Sequence, residues 1–105
     1  MGRVIAHISP SKGSATQPAT VTVGTGSTEI LAASTGAGYS YMLIQNLGEN
    51  DVYVDLTGGT PTVGGGFLLA ASGGSLELAH WVPQTAINGI ADTASSTVEI
   101  IYVGG

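Results

Sequence analysis

Glycine is the residue that most narrows what this chain can become. Seventeen glycines are spread over 105 residues, and each one placed inside a helix costs about 1 kcal/mol relative to alanine. No stretch of about 11 or more residues shows apolar positions recurring every three to four residues, the mark of an amphipathic helix. What survives between the glycines are short runs in which apolar and polar residues alternate, and a period of two belongs to a half-buried strand.

Read in order, the runs are Thr20 to Val23, Ser27 to Ala32, Tyr39 to Asn46, Asp51 to Leu56, Phe67 to Ala70, Ser75 to Ala79, Ala86 to Ala91 and Ser96 to Val103. Turn signals separate them: Gly24-Thr25-Gly26, Gly36-Ala37-Gly38, Leu47-Gly48-Glu49-Asn50, Gly64-Gly65-Gly66 and Gly73-Gly74. In the fourth run Val52, Val54 and Leu56 point one way and Asp51, Tyr53 and Asp55 the other. A slip of one residue there would bury two carboxylates, so its facing is strongly specified. Leu76 and Leu78 are expected inside with Glu77 outside, and Tyr39 and Tyr41 are expected on one face. Asn88-Gly89 is a tight-turn dipeptide that also suits a bulge. Many short strands with regular turn signals predict an all-β fold: a single small β-sandwich, jelly-roll-like, or a barrel of about eight strands. No internal repeat of fixed period points to a solenoid or propeller.

Residues 9–19 differ in texture. Ser-Pro-Ser-Lys-Gly-Ser-Ala-Thr-Gln-Pro-Ala is small, polar and proline-containing, and such a segment favours an extended linker. Ahead of it stands an apolar pentad, Val4 to Ile8, able to add as a strand to a sheet edge. The chain therefore divides into an N-terminal arm and linker, 1–19, and a β domain, 20–105. Arg3 precedes too short an apolar run for a secretory signal, whose apolar region spans about 7–15 residues. The N-terminus is thus expected to be that of a mature chain made in the cytoplasm.

Charge is as unevenly placed as glycine is even. The two basic residues are Arg3 and Lys12, while all seven carboxylates follow: Glu29, Glu49, Asp51, Asp55, Glu77, Asp92 and Glu99. A cationic arm thus precedes an acidic body, which suits docking of the arm on an acidic surface such as the body of a neighbouring copy. Two basic residues cannot supply the phosphate-neutralising surface of a nucleic-acid binder. No apolar run approaches the roughly 20 residues of a membrane helix. With no cysteine, disulfides and thiolate metal sites are excluded.

Catalytic patterns are sought and not found. The histidines are His7, in the arm, and His80, at a strand end beside Trp81; no serine lies in a Gly-x-Ser-x-Gly elbow. Asp51 and Asp55 share a strand face but stand about 13 Å apart, beyond the roughly 5–9.5 Å of paired glycosidase carboxylates. Glu49-Asn50-Asp51 lacks the acidic spacing of a calcium loop, and two distant histidines do not make a zinc site. Gly24-x-Gly26 and Gly36-x-Gly38 lack the third glycine and following helix of a phosphate cradle. The expectation is no enzyme, no metal and no cofactor. The aromatics Tyr39, Tyr41, Tyr53 and Trp81 remain, with three uses open to them: stacking on a sugar, anchoring a protein interface, or ordinary packing. A positive mean hydropathy and a surface rich in Thr, Ser, Ala and Gly point to apolar area covered by partners at low side-chain entropy cost. With the arm residues Arg3, Val4, Ile5, Ile8 and Lys12, these aromatics form the candidate interface set.

A family resemblance rests on particular runs. Ser27-Thr28-Glu29-Ile30-Leu31-Ala32-Ala33, Tyr41-Met42-Leu43-Ile44-Gln45-Asn46 and Asp51-Val52-Tyr53-Val54 resemble small tailed-bacteriophage virion proteins. So do Gly66 to Leu78, Val82-Pro83 and Ala86-Ile87-Asn88-Gly89-Ile90-Ala91. The resemblance spans residues 20–105 and leaves the arm outside it. It implies a phage β-sandwich that serves as a capsid decoration (cement) protein on the outer surface of the head. It further implies a homotrimer seated on the major capsid protein that stabilises contacts between capsomers. The alternative role is a head-fibre or tail module in which Tyr53, Asp51, Asp55 and Trp81 contact host-surface glycan.

Overall fold

β-branched and aromatic residues dominate the alternating runs, and they pack well on a pleated surface. The structure is a computed structural model and describes residues 18–105. The apolar pentad Val4 to Ile8 lies outside the described residues. Among these there are eight strands and no helix: β1 (Ala19–Val23), β2 (Thr28–Leu31), β3 (Tyr39–Asn46), β4 (Val52–Asp55), β5 (Phe67–Leu69), β6 (Ser75–Leu78), β7 (Ile87–Ala91) and β8 (Ser96–Gly104).

The strands form two four-stranded sheets, ordered β1-β8-β3-β6 and β2-β7-β4-β5, and every neighbouring pair is antiparallel. Only β4 and β5 are neighbours both in sequence and in space. Elsewhere the chain crosses between sheets, which is the winding of a jelly roll. The fold is therefore a sandwich and not a closed barrel.

The inward positions follow the period of two. Val52 and Val54 are buried, with Tyr53 and Asp55 turned outward, and Leu76 and Leu78 face the core from β6 with Glu77 exposed. Val23, Met42, Ile44, Leu69, Ile87, Val98 and Ile100 fill the space between the sheets. Each fully buried aliphatic side chain contributes about 1.5–3 kcal/mol relative to an exposed one.

Two local readings of the sequence change. Tyr39 and Tyr41 do not share a face: the register with β8 shifts between them, so Tyr39 turns into the core and Tyr41 stays outside. Asn88-Gly89 is no turn but the middle of β7. The irregularity lies opposite it, where β2 shifts register between Glu29 and Leu31. A Cβ at Gly89 would come within 2.8 Å of Ile30 Cδ1 and 3.4 Å of Val52 Cγ1. A side chain there would have to push the tip of Ile30 aside, so the close approach of neighbouring strands favours glycine.

Candidate functional site

Loops close the sandwich at two ends, and the ends are built differently. At the first end β3 stops at Asn46, and Asn46 is fully buried. Its amide nitrogen donates to the carbonyls of Asn50 (2.7 Å) and Leu69 (2.9 Å). Its Oδ1 accepts from the Gly48 amide (3.0 Å) and the Ser96 hydroxyl (2.8 Å). Both donor positions and the acceptor are thus used, and one side chain ties β3, β5, β8 and the β3–β4 loop together. A Cβ on Gly48 would collide with the Ser96 hydroxyl and lie 2.8 Å from the Thr97 nitrogen, so that loop must carry glycine there. Around the hub the Thr93 hydroxyl donates to Asn50 Oδ1 (2.9 Å) and Asp51 Oδ1 accepts from the Ala71 amide (2.9 Å). Glu49, Asp51 and Asp92 all lie in these loops, making this the acidic end.

The second end gathers the β2–β3, β4–β5 and β6–β7 loops and the end of β8. Gln84 staples it: its Oε1 accepts from the Tyr39 amide (2.8 Å) and its Nε2 donates to Tyr39 O (3.0 Å) and Val82 O (2.9 Å). The Ser34 amide donates to Gln84 O at 2.8 Å, and the Thr85 hydroxyl to Leu56 O at 3.0 Å. Tyr39 is buried here. Its hydroxyl donates to Ala32 O (2.7 Å) and its ring meets Tyr102 edge-on at 5.4 Å. Burial pushes its phenol above the usual tyrosine value, with Tyr102 and the charge of Glu29 adding to the effect.

Outside this staple the end is apolar. Trp81 is 61% exposed, Phe67 54% and Val63 49%. No charged residue lies in the loops 32–38, 57–66 or 79–86, where the sole titratable side chain is His80. Asp55, at the end of β4, marks the boundary. Its Oδ1 accepts from the Thr57 hydroxyl (2.7 Å), the Thr57 amide (2.7 Å) and the Gly59 amide (3.1 Å). These bonds hold its carboxyl below the usual aspartate value, the Thr57 hydroxyl contributing most.

The two outer sheet faces also carry apolar residues. On β7-β4-β5 the register sets Ile90, Tyr53 and Leu68 in one row, with Leu68 half exposed. On β8-β3-β6 it sets Ile101, Leu43 and Glu77 in another. Beside that second row the Tyr41 hydroxyl donates to Glu77 Oε2 at 2.8 Å, and this bond to a carboxylate raises the Tyr41 phenol.

The sequence candidates therefore separate. Tyr39 is a core residue, Tyr41 and Tyr53 lie on opposite outer faces, and Trp81 lies at the apolar end. Arg3, Val4, Ile5, Ile8 and Lys12, with His7, are outside the described residues. Asp51 and Asp55 sit near opposite ends of β4, each with one oxygen engaged by backbone amides. Among the described residues no three His, Asp or Glu side chains gather as a metal ion would need. Phe67, Leu68 and Val63 were missed as surface candidates. The available signal was the consecutive run Phe67-Leu68-Leu69, since three neighbouring apolar residues on one strand cannot all face inward. Compared with protein-family models, curated proteins and solved structures, the chain matches none.

Proposed function

We propose that this chain is a capsid decoration (cement) protein, a structural virion component that binds the outer surface of a bacteriophage head as a homotrimer and stabilises contacts between capsomers. The observation that carries the reading is the uncharged loop end with Trp81, Phe67 and Val63 exposed. Large apolar side chains exposed together at one end fit contact with another protein, and aromatic side chains are enriched in the cores of such contacts. The jelly roll fits the role as a rigid carrier of end loops, although one fold serves many functions. The polar side chains Asn46, Gln84 and Asp55 hold loop backbone in place, which suits a mechanical task.

On a shell, each copy would press its apolar end against the junction of neighbouring capsomers. Many modest contacts repeated on one lattice add up to a large resistance against the outward push of packed DNA. The test is occupancy: full-length protein is mixed with purified heads, and bound copies and the temperature of head rupture are measured. Hundreds of copies per particle and a raised rupture temperature are expected. The double variant Phe67→Ser/Trp81→Ser should bind at least about tenfold more weakly, as expected when two interface aromatics are truncated. Equal occupancy by this variant, or a copy number of a handful, would overturn the assignment. No observation favours a glycan site over protein contact; strong signals on a glycan array with bare heads unbound would reverse that ranking.

A further inference from the structure

The outer face of β1-β8-β3-β6 holds a trough of about 250 Å³ lined by Pro18, Leu43, Gln45, Glu99, Ile100 and Ile101. Leu43 and Ile101 are register partners and form its apolar floor. Glu99 lies two residues from Ile101 on the same strand, opposite Gln45, and Glu77 lies opposite Leu43 on β6. We infer that this trough receives the Val4–Ile8 segment of a second copy's N-terminal arm, so that copies are linked by exchanged arms. The inference goes beyond the proposed role on a shell and is tested on free protein.

Three observations carry it. First, residues 18–105 contain seven carboxylates and neither Lys nor Arg, so Glu99 and Glu77 can meet a Lys or Arg of this chain only in the arm, where Arg3 and Lys12 bracket the apolar pentad. Second, the chemistry matches in kind: an apolar floor edged by acids faces an apolar segment flanked by cations, which favours attraction. Third, the composition of the linker favours another copy over the same one. Pro18 is itself a wall of the trough, while Ile8 lies ten residues upstream, a reach of at most about 35 Å when extended. The intervening Ser9 to Gln17 is small, polar and bounded by Pro10 and Pro18, a composition that favours extended chain. A linker of that composition would favour the trough of a neighbour over its own.

The native chain has no cysteine, so crosslinks can be placed without background. Ile5→Cys chains are mixed with Ile101→Cys chains, oxidised gently and mapped by mass spectrometry. A 5–101 disulfide can form in that mixture only between chains. It is expected well above the control mixture of Ile5→Cys with Thr25→Cys, whose partner site is an exposed turn at the acidic end. The double variant Ile5→Cys/Ile101→Cys should form a ladder of multimers. A purely intrachain link in the double variant, or a 5–101 yield no higher than the control, would overturn the inference. Separately, Arg3→Glu/Lys12→Glu should weaken self-association in sedimentation by about tenfold, the size expected of two exposed ion pairs, and added salt should narrow the difference. Adding Glu77→Lys/Glu99→Lys to that variant should restore association. Reversal without weakening, or weakening without rescue, would sink the pairing. Failure on free protein leaves head occupancy unaffected, so the two proposals fall separately.

Discussion

The two ends of the sandwich are closed by polar side chains of nearly equal size, yet to different effect. At the acidic end Asn46 is wholly buried, makes four hydrogen bonds and pulls three strands and a loop onto one point. At the apolar end the exposed Gln84 makes three bonds, two of them part-buried, and beyond it Trp81, Phe67 and Val63 stand in water, against Leu47 at the acidic end. The first arrangement finishes a core. The second holds loops in place while leaving greasy surface uncovered, which serves folding poorly and contact well. The difference teaches that stability and proposed function are divided between the two ends, and each end can be challenged separately.

The largest effect should come from Asn46→Ala. It leaves the Gly48 amide, the Ser96 hydroxyl and two carbonyls without their partner in a water-poor site, and each orphaned buried group costs about 1–3 kcal/mol. Because part of the loop will relax toward solvent, a net loss of about 3 kcal/mol is expected from urea unfolding, with an unchanged slope. A loss under about 1 kcal/mol would mean the acidic end is not sealed by this residue. Gln84→Ala comes next. Its side chain is exposed and its bonds are at most part-buried, so water can replace some of them and a loss of about 1 kcal/mol is expected. Should Gln84→Ala cost as much as Asn46→Ala, the contrast between the ends would disappear.

Much of this architecture was legible in the residues and some was not, for physical reasons. The alternation at Asp51 to Leu56 named the facing of β4 correctly, because a wrong face would bury two carboxylates. The run Tyr39 to Asn46 matched β3 at both ends, bounded as it is by glycine-containing turns. Strand order was not legible, since all but one pairing joins strands distant in sequence. The role of Asn46 was hidden for a related reason: its partners Leu69 and Ser96 lie 23 and 50 residues away. Tyr39 and Tyr41 were placed on one face because a period of two was extended across a register shift that nothing local announces. The apolar end was half legible. Trp81 stands among the candidate aromatics, whereas Phe67 reads as one more strand residue, although an edge strand of three residues leaves its side chain little cover.

The smallest expected effect lies at the border of the apolar end and concerns acid. Asp55 holds the turn 57–59 through one oxygen, with its carboxyl lowered by the Thr57 hydroxyl, the Thr57 amide and the Gly59 amide. A lowered folded-state value means that the unfolded chain binds this proton more readily. The stabilisation is therefore fully present above the unfolded aspartate value of about 3.9 and is lost as pH falls through the folded value. Asp55 is solvent-accessible, so screening keeps the effect small. Asp55→Asn should lower the urea midpoint slightly at pH 7, and the gap to wild type should close as the pH falls through the lowered folded value, where Asp55 also becomes neutral. A gap of constant size at every pH would show that the turn relies on the shape of the side chain and not on its charge. The carboxylate would then be no part of what distinguishes the rim of the apolar end.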